Sequence, residues 1–326
     1  MDIPSAVFWV AVRQFHRLPL PTTDCTGKTV IVTGGNVGLG LETARHFVRL
    51  NAARVIIACR NLEKGETAKA DIESTTGRTG VVEVWSVDLA SFDSVKEFCA
   101  RAAELDRLDI VIENAGVAPA KPQLAEGYES QITVNVISTA LMALKLLTIL
   151  RQTSTKYNVE PHLVIVSSDA HRFVTWPVMR QSDNFFEALR TDKMFHERYN
   201  ISKLLEVLFV RELAQAMDRT GKPKVVVNTA HPGLCSSQLF RDLPAPFSWI
   251  LAGIMLVFAR TCEYGARNFV YAGLLPETHG TYISECKPME VSPRITNELG
   301  DKTQKQVYKE LLDVLERIEP GVTGNI

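Results

Sequence analysis

The stretch that decides the fold is Lys28-Thr-Val-Ile-Val-Thr-Gly-Gly-Asn-Val-Gly-Leu-Gly40. Its β-branched run from Thr29 to Val32 predicts a buried strand, and the apolar spacing from Leu41 to Leu50 predicts a helix. Three glycines lie in the turn between them: Gly34, Gly38 and Gly40. Such a turn lets the backbone approach a pyrophosphate, whose negative charge the helix N-terminus favours. The stretch therefore predicts a dinucleotide-binding fold.

Composition narrows the class of protein. The 326 residues are 46% apolar and 22% charged, with a formal net charge of −1. These values are ordinary for a globular protein with a sizeable core. The basic residues form no stripe of the kind that binds nucleic acid, so we expect no nucleic-acid partner. The six cysteines are scattered without Cys-x-x-Cys or metal-ligand spacing, which indicates a reducing compartment and no metal site.

Beyond the glycine turn, apolar strand patterns alternate with helical patterns. Strands are predicted at 54–59, 81–87, 109–113, 162–166, 224–229 and 281–284, and helices at 64–73, 91–103, 129–150, 199–217, 262–274 and 302–318. The alternation predicts an α/β fold: a single Rossmann-type doubly wound parallel sheet with helices on both faces. We expect one domain over residues 1–326, with a core of about 26–285, an N-terminal apolar segment at 1–20 and a C-terminal helical tail at about 300–320.

Two apolar segments are too short to span a bilayer, which takes about 20 residues. Ala6–Val12 predicts a helix that caps the domain, with a shallow anchor at a membrane surface as the alternative. The segment 247–259 predicts a buried helix or a lid helix.

The end of the second strand bears on cofactor choice. In a dinucleotide fold, an acidic residue about 20 residues beyond the glycines binds the ribose 2′-hydroxyl of NAD, whereas an arginine suits the 2′-phosphate of NADP. Here Cys59 ends the strand and Arg60 follows it. A guanidinium beside a phosphate dianion is a good match, so we expect NADP(H).

Tyr199 and Lys203 are four residues apart, which places both side chains on one face of a helix. A phenol is a poor base at neutral pH, but a neighbouring ammonium stabilises the phenolate and lowers the pKa of the tyrosine. The pair can then exchange a proton with a carbonyl or alcohol oxygen, which Ser168, at a strand end, can also bind.

With these motifs in this order, the sequence resembles the short-chain dehydrogenase/reductase family over about residues 26–285. Thr33-Gly34, Gly38 and Gly40 resemble the family's glycine motif, and Pro232-Gly233 resembles its later Pro-Gly turn. The resemblance implies a catalytic tetrad of Asn135, Ser168, Tyr199 and Lys203. It also implies the cofactor-binding residues Thr33, Gly34, Asn36, Val37, Gly38, Leu39, Gly40, Arg60, Asp88, Leu89, Asn114, Ala115, Gly116, Tyr199, Lys203, Pro232, Gly233 and Ser237.

Two features depart from the common family pattern. Glu113 stands where the first asparagine of Asn-Asn-Ala-Gly is usual, which leaves the hydrogen bonding of that turn open. The gap between Ser168 and Tyr199 is longer than usual. The long gap and the sequence Ala58-Cys-Arg-Asn61 are similar to the retinol-dehydrogenase-like branch, which includes fungal natural-product reductases.

The resemblance implies an NADP(H)-dependent oxidoreductase that interconverts a carbonyl and an alcohol; a non-redox cofactor-binding scaffold is the alternative. We expect a bulky, apolar substrate of the polyketide, terpenoid, steroid or retinoid kind, because two long segments are rich in large apolar residues: Phe173, Trp176, Phe185, Phe186, Phe195, Leu239, Phe240, Phe247 and Trp249. The alternative is that these residues pack the segments onto the domain or form a dimer face.

Two further expectations concern histidines and location. His171 and His231 are expected to bind local backbone groups and not to catalyse. Asn200-Ile201-Ser202 is a glycosylation pattern inside the predicted catalytic helix, where a glycan would obstruct the site. We therefore expect a cytoplasmic protein, or one on the cytosolic face of a membrane.

Overall fold

The computed structural model describes residues 13–175, 184–190, 195–237, 239, 255–256 and 258–326. An eight-stranded sheet lies at its centre, and a separate two-stranded hairpin lies outside the sheet. The strands, in chain order, are β1 (Thr29–Thr33), β2 (Arg54–Cys59), β3 (Val82–Ser86), β4 (Ile110–Glu113), β5 (Leu124–Ala125), β6 (Tyr128–Glu129), β7 (His162–Val166), β8 (Val226–Ala230), β9 (Tyr282–Ser284) and β10 (Lys287–Met289).

Helices cover the sheet. In chain order they are α1 (Gly38–Arg49), α2 (Leu62–Thr76), α3 (Phe92–Ala103), α4 (Ser130–Tyr157), α5 (Phe185–Ala188), α6 (Arg198–Asp218), α7 (Cys262–Ala272), α8 (Pro293–Thr296) and α9 (Glu298–Ile318). Ser91 caps the start of α3, because its side chain accepts a hydrogen bond from the Ser94 backbone N–H.

The order of strands in the sheet is β10-β9-β8-β7-β4-β1-β2-β3. The chain builds outward from β1 to β3 on one side and then crosses back to build outward from β4 on the other side. Within this sheet all strands except β10 run parallel to one another, namely β9, β8, β7, β4, β1, β2 and β3. Ligands in such sheets bind beyond the carboxyl ends of the strands, near the point between β1 and β4 where the order reverses.

Strand β1 shows why the sheet is buried on both faces. Ile31 belongs to the hydrophobic cluster formed with α3, α4, α6 and α9, while Val30 and Val32 belong to the cluster formed with α1, α2 and α7. Successive side chains of a strand point to opposite faces, so an all-apolar strand serves both layers. The predicted doubly wound sheet with helices on both faces is confirmed.

Helix α4 is the one described helix that is long and apolar enough to cross a membrane, with a mean hydropathy of 1.8. Of its apolar window, 89% is buried inside the protein, as in the core helix of a globular fold. Within this helix, Thr133–Ser138 forms a π-helical turn.

The structure adds some elements to the predicted ones and leaves part of the prediction outside its described residues. β10 runs antiparallel to β9 at one edge of the sheet, and the β5–β6 hairpin precedes α4. Helices α2, α4 and α9 extend beyond their predicted bounds. Ala6–Val12, Trp176, Phe240, Phe247 and Trp249 lie outside the described residues.

Candidate active site

The turn after β1 forms a narrow cradle. Gly34 has a φ of +64°, and a Cβ there would lie 3.0 Å from Nδ2 of Asn114. At Gly40 a Cβ would lie 2.3 Å from the carbonyl oxygen of Gly34. Val37 precedes α1 and makes no side-chain cap, so the cap residue leaves the first N–H groups of the helix available to an anion. The remaining predicted residues of the turn, Asn36, Gly38 and Leu39, lie in the same segment.

The Asn-Ala-Gly turn after β4 is bound to the end of β1. Nδ2 of Asn114 donates a hydrogen bond to the Thr33 carbonyl oxygen at 2.9 Å, and the Ala115 N–H donates to Oγ1 of Thr33 at 3.0 Å. A Cβ on Gly116 would lie 3.2 Å from Oδ1 of Asn135 and 3.7 Å from Nζ of Lys203. The turn therefore lies between the glycine cradle and the predicted catalytic side chains, and Glu113 leaves its hydrogen bonds intact.

Asn135 occupies the π-helical turn of α4 and is fully buried. Its Oδ1 accepts from the Val117 N–H at 2.9 Å, and its Nδ2 donates to the Val117 carbonyl at 3.0 Å and to Oγ of Ser202 at 3.1 Å. Turns of this type often occur at functional sites, because the inserted residue re-aims a side chain. Here the turn joins Asn135 to the loop after β4 and to α6.

Ser168 lies just beyond the carboxyl end of β7. Its side chain caps the short 3₁₀ helix Asp169–Phe173 by accepting from the Ala170 N–H, and it lies close enough to the Tyr199 hydroxyl to lower the pKa of Tyr199. The two hydroxyls therefore converge, although 30 residues of sequence separate them.

Tyr199 and Lys203 share one face of α6, with Nζ of Lys203 5.9 Å from the centre of the tyrosine ring. Burial raises the pKa of Tyr199; the Lys203 charge and the nearby Ser168 hydroxyl lower it, and the Glu206 charge raises it further. The expected effect of the ammonium is present, but the net pKa is above the usual value because burial outweighs it. Tyr199 is thus a protonated phenol at neutral pH.

Lys203 is held by two acceptors. Its Nζ donates to the Val166 carbonyl at 2.9 Å and to Oε1 of Glu206 at 2.8 Å. Burial alone would lower the pKa of Lys203, but Glu206 and Tyr199 offset this and the pKa is raised. The lysine is therefore an ammonium ion fixed beside Tyr199.

Several predicted cofactor residues lie at other strand ends. Arg60 is exposed beyond β2, and Asp88 and Leu89 follow β3, where Oδ1 of Asp88 accepts from the Ala90 N–H at 3.0 Å. Pro232 and Gly233 are buried after β8, with Ser237 partly buried in the same loop. All these residues lie at the carboxyl edge of the sheet, but no hydrogen bond among the described residues joins Arg60 or Asp88 to the predicted catalytic residues.

Three residues near Ser168, Tyr199 and Lys203 were not predicted from the sequence. Ser202 links Asn135 to the Tyr199 carbonyl, Glu206 binds Lys203, and Asp169 pairs with His231. Glu206 follows Lys203 by three residues, which is helical spacing for one face and is a signal that the sequence carries. His171 binds the Ser168 carbonyl at 2.7 Å and the Ser292 N–H at 3.4 Å, the local backbone role that we expected.

The aromatic residues expected around a substrate divide into two groups. Phe185 and Phe186 are buried in the main core, and their backbone N–H groups donate to Oε2 of Glu310 on α9. For these two the packing alternative holds, because their side chains contact the domain itself. Phe173 and Phe195 are partly exposed.

With this geometry established, comparison with known proteins gives the family. The family pattern of the short chain dehydrogenases matches residues 28–179. Short chain dehydrogenase/reductase dmxR8 of Cryptosporiopsis sp. (strain 8999) is 45% identical over 319 residues, which cover 95% of this chain and 97% of the relative. Short chain dehydrogenase atnD of Emericella nidulans is 42% identical, covering 83% of this chain and 88% of the relative. The chain belongs to the short-chain dehydrogenase/reductase family of oxidoreductases.

Solved structures agree with the fold. An uncharacterised protein from Mycobacterium paratuberculosis has a TM-score of 0.66 and 25% identity, covering 91% of this chain and 95% of that one. The Pseudomonas aeruginosa RhlG/NADP active-site complex has a TM-score of 0.59 and 22% identity, covering 80% and 95%. At this identity the second likeness concerns the fold alone.

Proposed function

We propose that this chain is an NADP(H)-dependent oxidoreductase that interconverts a carbonyl and an alcohol, with Tyr199 as the acid/base. The observation that carries the proposal is the convergence of the Ser168 and Tyr199 hydroxyls beside the fixed Lys203 ammonium. A protonated phenol and a second hydroxyl in one place suit the binding and protonation of a single carbonyl oxygen.

Each residue has a separate part in this chemistry. Tyr199 donates its proton to the carbonyl oxygen during reduction, while Ser168 binds the same oxygen. Tyr199 becomes a phenolate when it gives up its proton. The Lys203 ammonium stabilises this phenolate, because a cation stabilises a neighbouring anion. A bound nicotinamide cofactor supplies the hydride in reduction and accepts it in oxidation. Asn135 holds the Asn-Ala-Gly loop against α6.

The cradle after β1 fits such a cofactor. The close approach of Gly34 and Gly40 leaves no room for a Cβ, which suits backbone contact with a pyrophosphate at the N-terminus of α1. Arg60 supports NADP(H) over NAD(H), because Cys59 fills the position of the usual ribose-binding acid and Arg60 places an exposed guanidinium beside it.

We further propose a bulky, apolar substrate, as in fungal natural-product reductases, and a site that faces the cytosol. The partly exposed Phe173 and Phe195, each beside a long segment, support the first proposal. The second rests on Ser202 of the glycosylation pattern. This serine is fully buried, and its hydroxyl donates to the Tyr199 carbonyl.

The test is NADPH oxidation with a graded panel of ketones and aldehydes. The Tyr199→Phe variant removes only the transferable proton, so its kcat should fall by roughly 10²–10⁴-fold while the Kd for NADPH stays within about twofold. Tyr157→Phe, at the far end of α4, is the matched control and should keep wild-type kcat. Most of the activity surviving in Tyr199→Phe would remove Tyr199 from the acid/base role, whereas a wild type that oxidises NADPH with no member of the panel would favour the non-redox scaffold. Equal kcat/KM for small polar and large apolar ketones would exclude the bulky substrate.

A further inference from the structure

Two buried glutamates, Glu113 and Glu206, have carboxyl oxygens without hydrogen-bond partners in the described part of the chain. Glu113 and Glu206 are 4% and 3% exposed. Among the described residues, Oε1 and Oε2 of Glu113 and Oε2 of Glu206 have no hydrogen-bond donor, and no other buried carboxyl oxygen there is left in this state. A buried carboxylate without a donor is strongly disfavoured, so this arrangement calls for a proton.

The two carboxyls belong to different elements. Glu206 lies one turn beyond Lys203 on α6 and binds Nζ directly. Glu113 ends β4, where it pairs in register with Ile165 of β7, the residue before Val166. The Val166 carbonyl is the second acceptor of Nζ. Residues in register point to the same face of a sheet, and Ile165 belongs to the hydrophobic cluster that α6 covers, so the Glu113 side chain points toward α6.

The electrostatics agree with this placement. Burial and the nearby Glu206 raise the pKa of Glu113 well above its usual value. Burial also raises the pKa of Glu206 to about 7, although Lys203 and the nearby Ser167 hydroxyl, which donates to the Lys203 carbonyl, oppose the shift. The other titratable groups that face the pair are the Cys99 thiol from α3 and Tyr199 from α6. Among the described residues, Lys203 is the one cation that acts on Glu206 and none acts on Glu113, so two anions would leave a net buried negative charge.

We propose that Glu113 and Glu206 share a single proton and act as a positioning pair behind Lys203. Neutral Glu113 donates its O–H to Oε2 of Glu206, and anionic Glu206 holds Lys203 as an ammonium beside Tyr199. This arrangement supplies the missing partner of Glu206 and makes the group of three neutral overall. Its effect on turnover rests on the proposed function, because Glu113 and Glu206 act on the reaction through Lys203 and Tyr199.

Removing the Glu206 charge should change the pKa values of Lys203 and Tyr199 in a known direction. An anion favours the ammonium form of Lys203 and disfavours the phenolate form of Tyr199, so its loss lowers the pKa of both groups. In Glu206→Gln, the alkaline limb of the kcat profile for carbonyl reduction should move to lower pH by about one unit or more. Glu212→Gln is the matched control: Glu212 is also buried on α6, but it binds Gln304 of α9 and should leave the limb in place.

A folded Glu206→Gln variant whose alkaline limb coincides with the wild-type limb would overturn the proposal, since a purely structural glutamate changes rate or stability without moving the limb. The shared proton has its own readout, which needs no turnover. The infrared spectrum of the wild type at pH 8 minus that of Glu113→Gln should show the carbonyl stretch of a neutral carboxylic acid, shifted in D₂O. A difference spectrum that shows a carboxylate band instead would overturn the shared proton. Because this readout is independent of Tyr199, it stays decisive if the proposed reaction fails or if Glu206→Gln does not fold.

Discussion

Nε2 of His231 lies 3.1 Å from Oδ2 of Asp169, which binds the loop after β8 to the loop after β7. Asp169 also accepts from Nε of Arg172 at 3.1 Å and from the Tyr282 hydroxyl at 3.0 Å. Burial alone would raise the pKa of Asp169, but His231 and Arg172 hold it well below the usual range. One carboxylate thus fixes the loop that carries Ser168 relative to the Pro232-Gly233 turn.

Asp169→Asn should therefore weaken both stability and catalysis. The change leaves Arg172 and His231 without their buried anion, which costs roughly 3–5 kcal/mol of unfolding free energy. Urea denaturation measures this loss, and kcat/KM should fall with it. The control is Asp218→Asn, because Asp218 faces His279 at 3.5 Å but is 71% exposed. Its effect should stay within about 0.5 kcal/mol, and a similar loss in both variants would contradict the role of burial.

Arg60→Ala should discriminate between the two cofactors. Loss of a charge-assisted hydrogen bond to the 2′-phosphate costs about 1.5–3 kcal/mol, or roughly 10–100-fold in the Kd for NADPH. NADH lacks that phosphate, so its Kd should change little. Titration of cofactor fluorescence measures both constants. Arg49→Ala is the control, because Arg49 is exposed at the C-terminal end of α1 and should not affect either cofactor. Equal losses for NADPH and NADH in Arg60→Ala would show that Arg60 does not bind the phosphate.

Gly40→Ala should disrupt the cradle. The added Cβ would lie 2.3 Å from the Gly34 carbonyl oxygen and 2.6 Å from Nδ2 of Asn114, so the turn has to shift. We expect overpacking to cost roughly 1–3 kcal/mol, together with a loss of at least about tenfold in NADPH affinity. Gly324→Ala has open space around the new Cβ and should change neither quantity. A Gly40→Ala protein with wild-type affinity would show that the cradle does not hold the cofactor.

Acid stability should depend on His162, at the start of β7. Burial lowers the pKa of His162 to about 4, against about 6.5 in the unfolded chain. The folded state excludes the proton, so this contribution to stability is complete above about pH 6.5 and is lost as the pH falls toward 4. The loss amounts to roughly 3 kcal/mol.

His162→Gln should remove the His162 contribution to the slope of unfolding free energy against pH. Urea denaturation at pH values between 7 and 4 measures this slope. His171, whose pKa burial likewise lowers to about 4, keeps its own share of the slope. His196→Gln is the control, because this side chain is 79% exposed. An unchanged slope in His162→Gln would mean that His162 does not titrate on unfolding.

Much of the fold was predictable because its signals are local. The bounds of β2 and β7 match the prediction, since a strand that is buried on both faces is an unbroken apolar run between polar residues. The turn after β1 was predictable for a similar reason: strand, glycines and helix are consecutive. Ser168, Tyr199 and Lys203 came from spacing and order along the chain, and the structure brings them together.

What the sequence did not reveal depends on contacts between distant residues. The π-helical turn at Asn135 is fixed by Val117 and Ser202, which no periodicity in α4 indicates. The placement of Glu113 on the sheet face that α6 covers depends on the register of β4 against β7. The net rise in the pKa of Tyr199 likewise depends on burial, which the Tyr-x-x-x-Lys spacing does not convey.

The antiparallel strand β10 has a consequence for how molecules of this protein meet. It is three residues long, with Pro288 at its centre and an exposed Lys287 beside it. A proline has no N–H to offer a further strand, and a lysine on an edge disfavours the approach of another sheet. Strand β10 therefore makes this edge a poor template for β-sheet aggregation at the high concentrations at which open sheets tend to join.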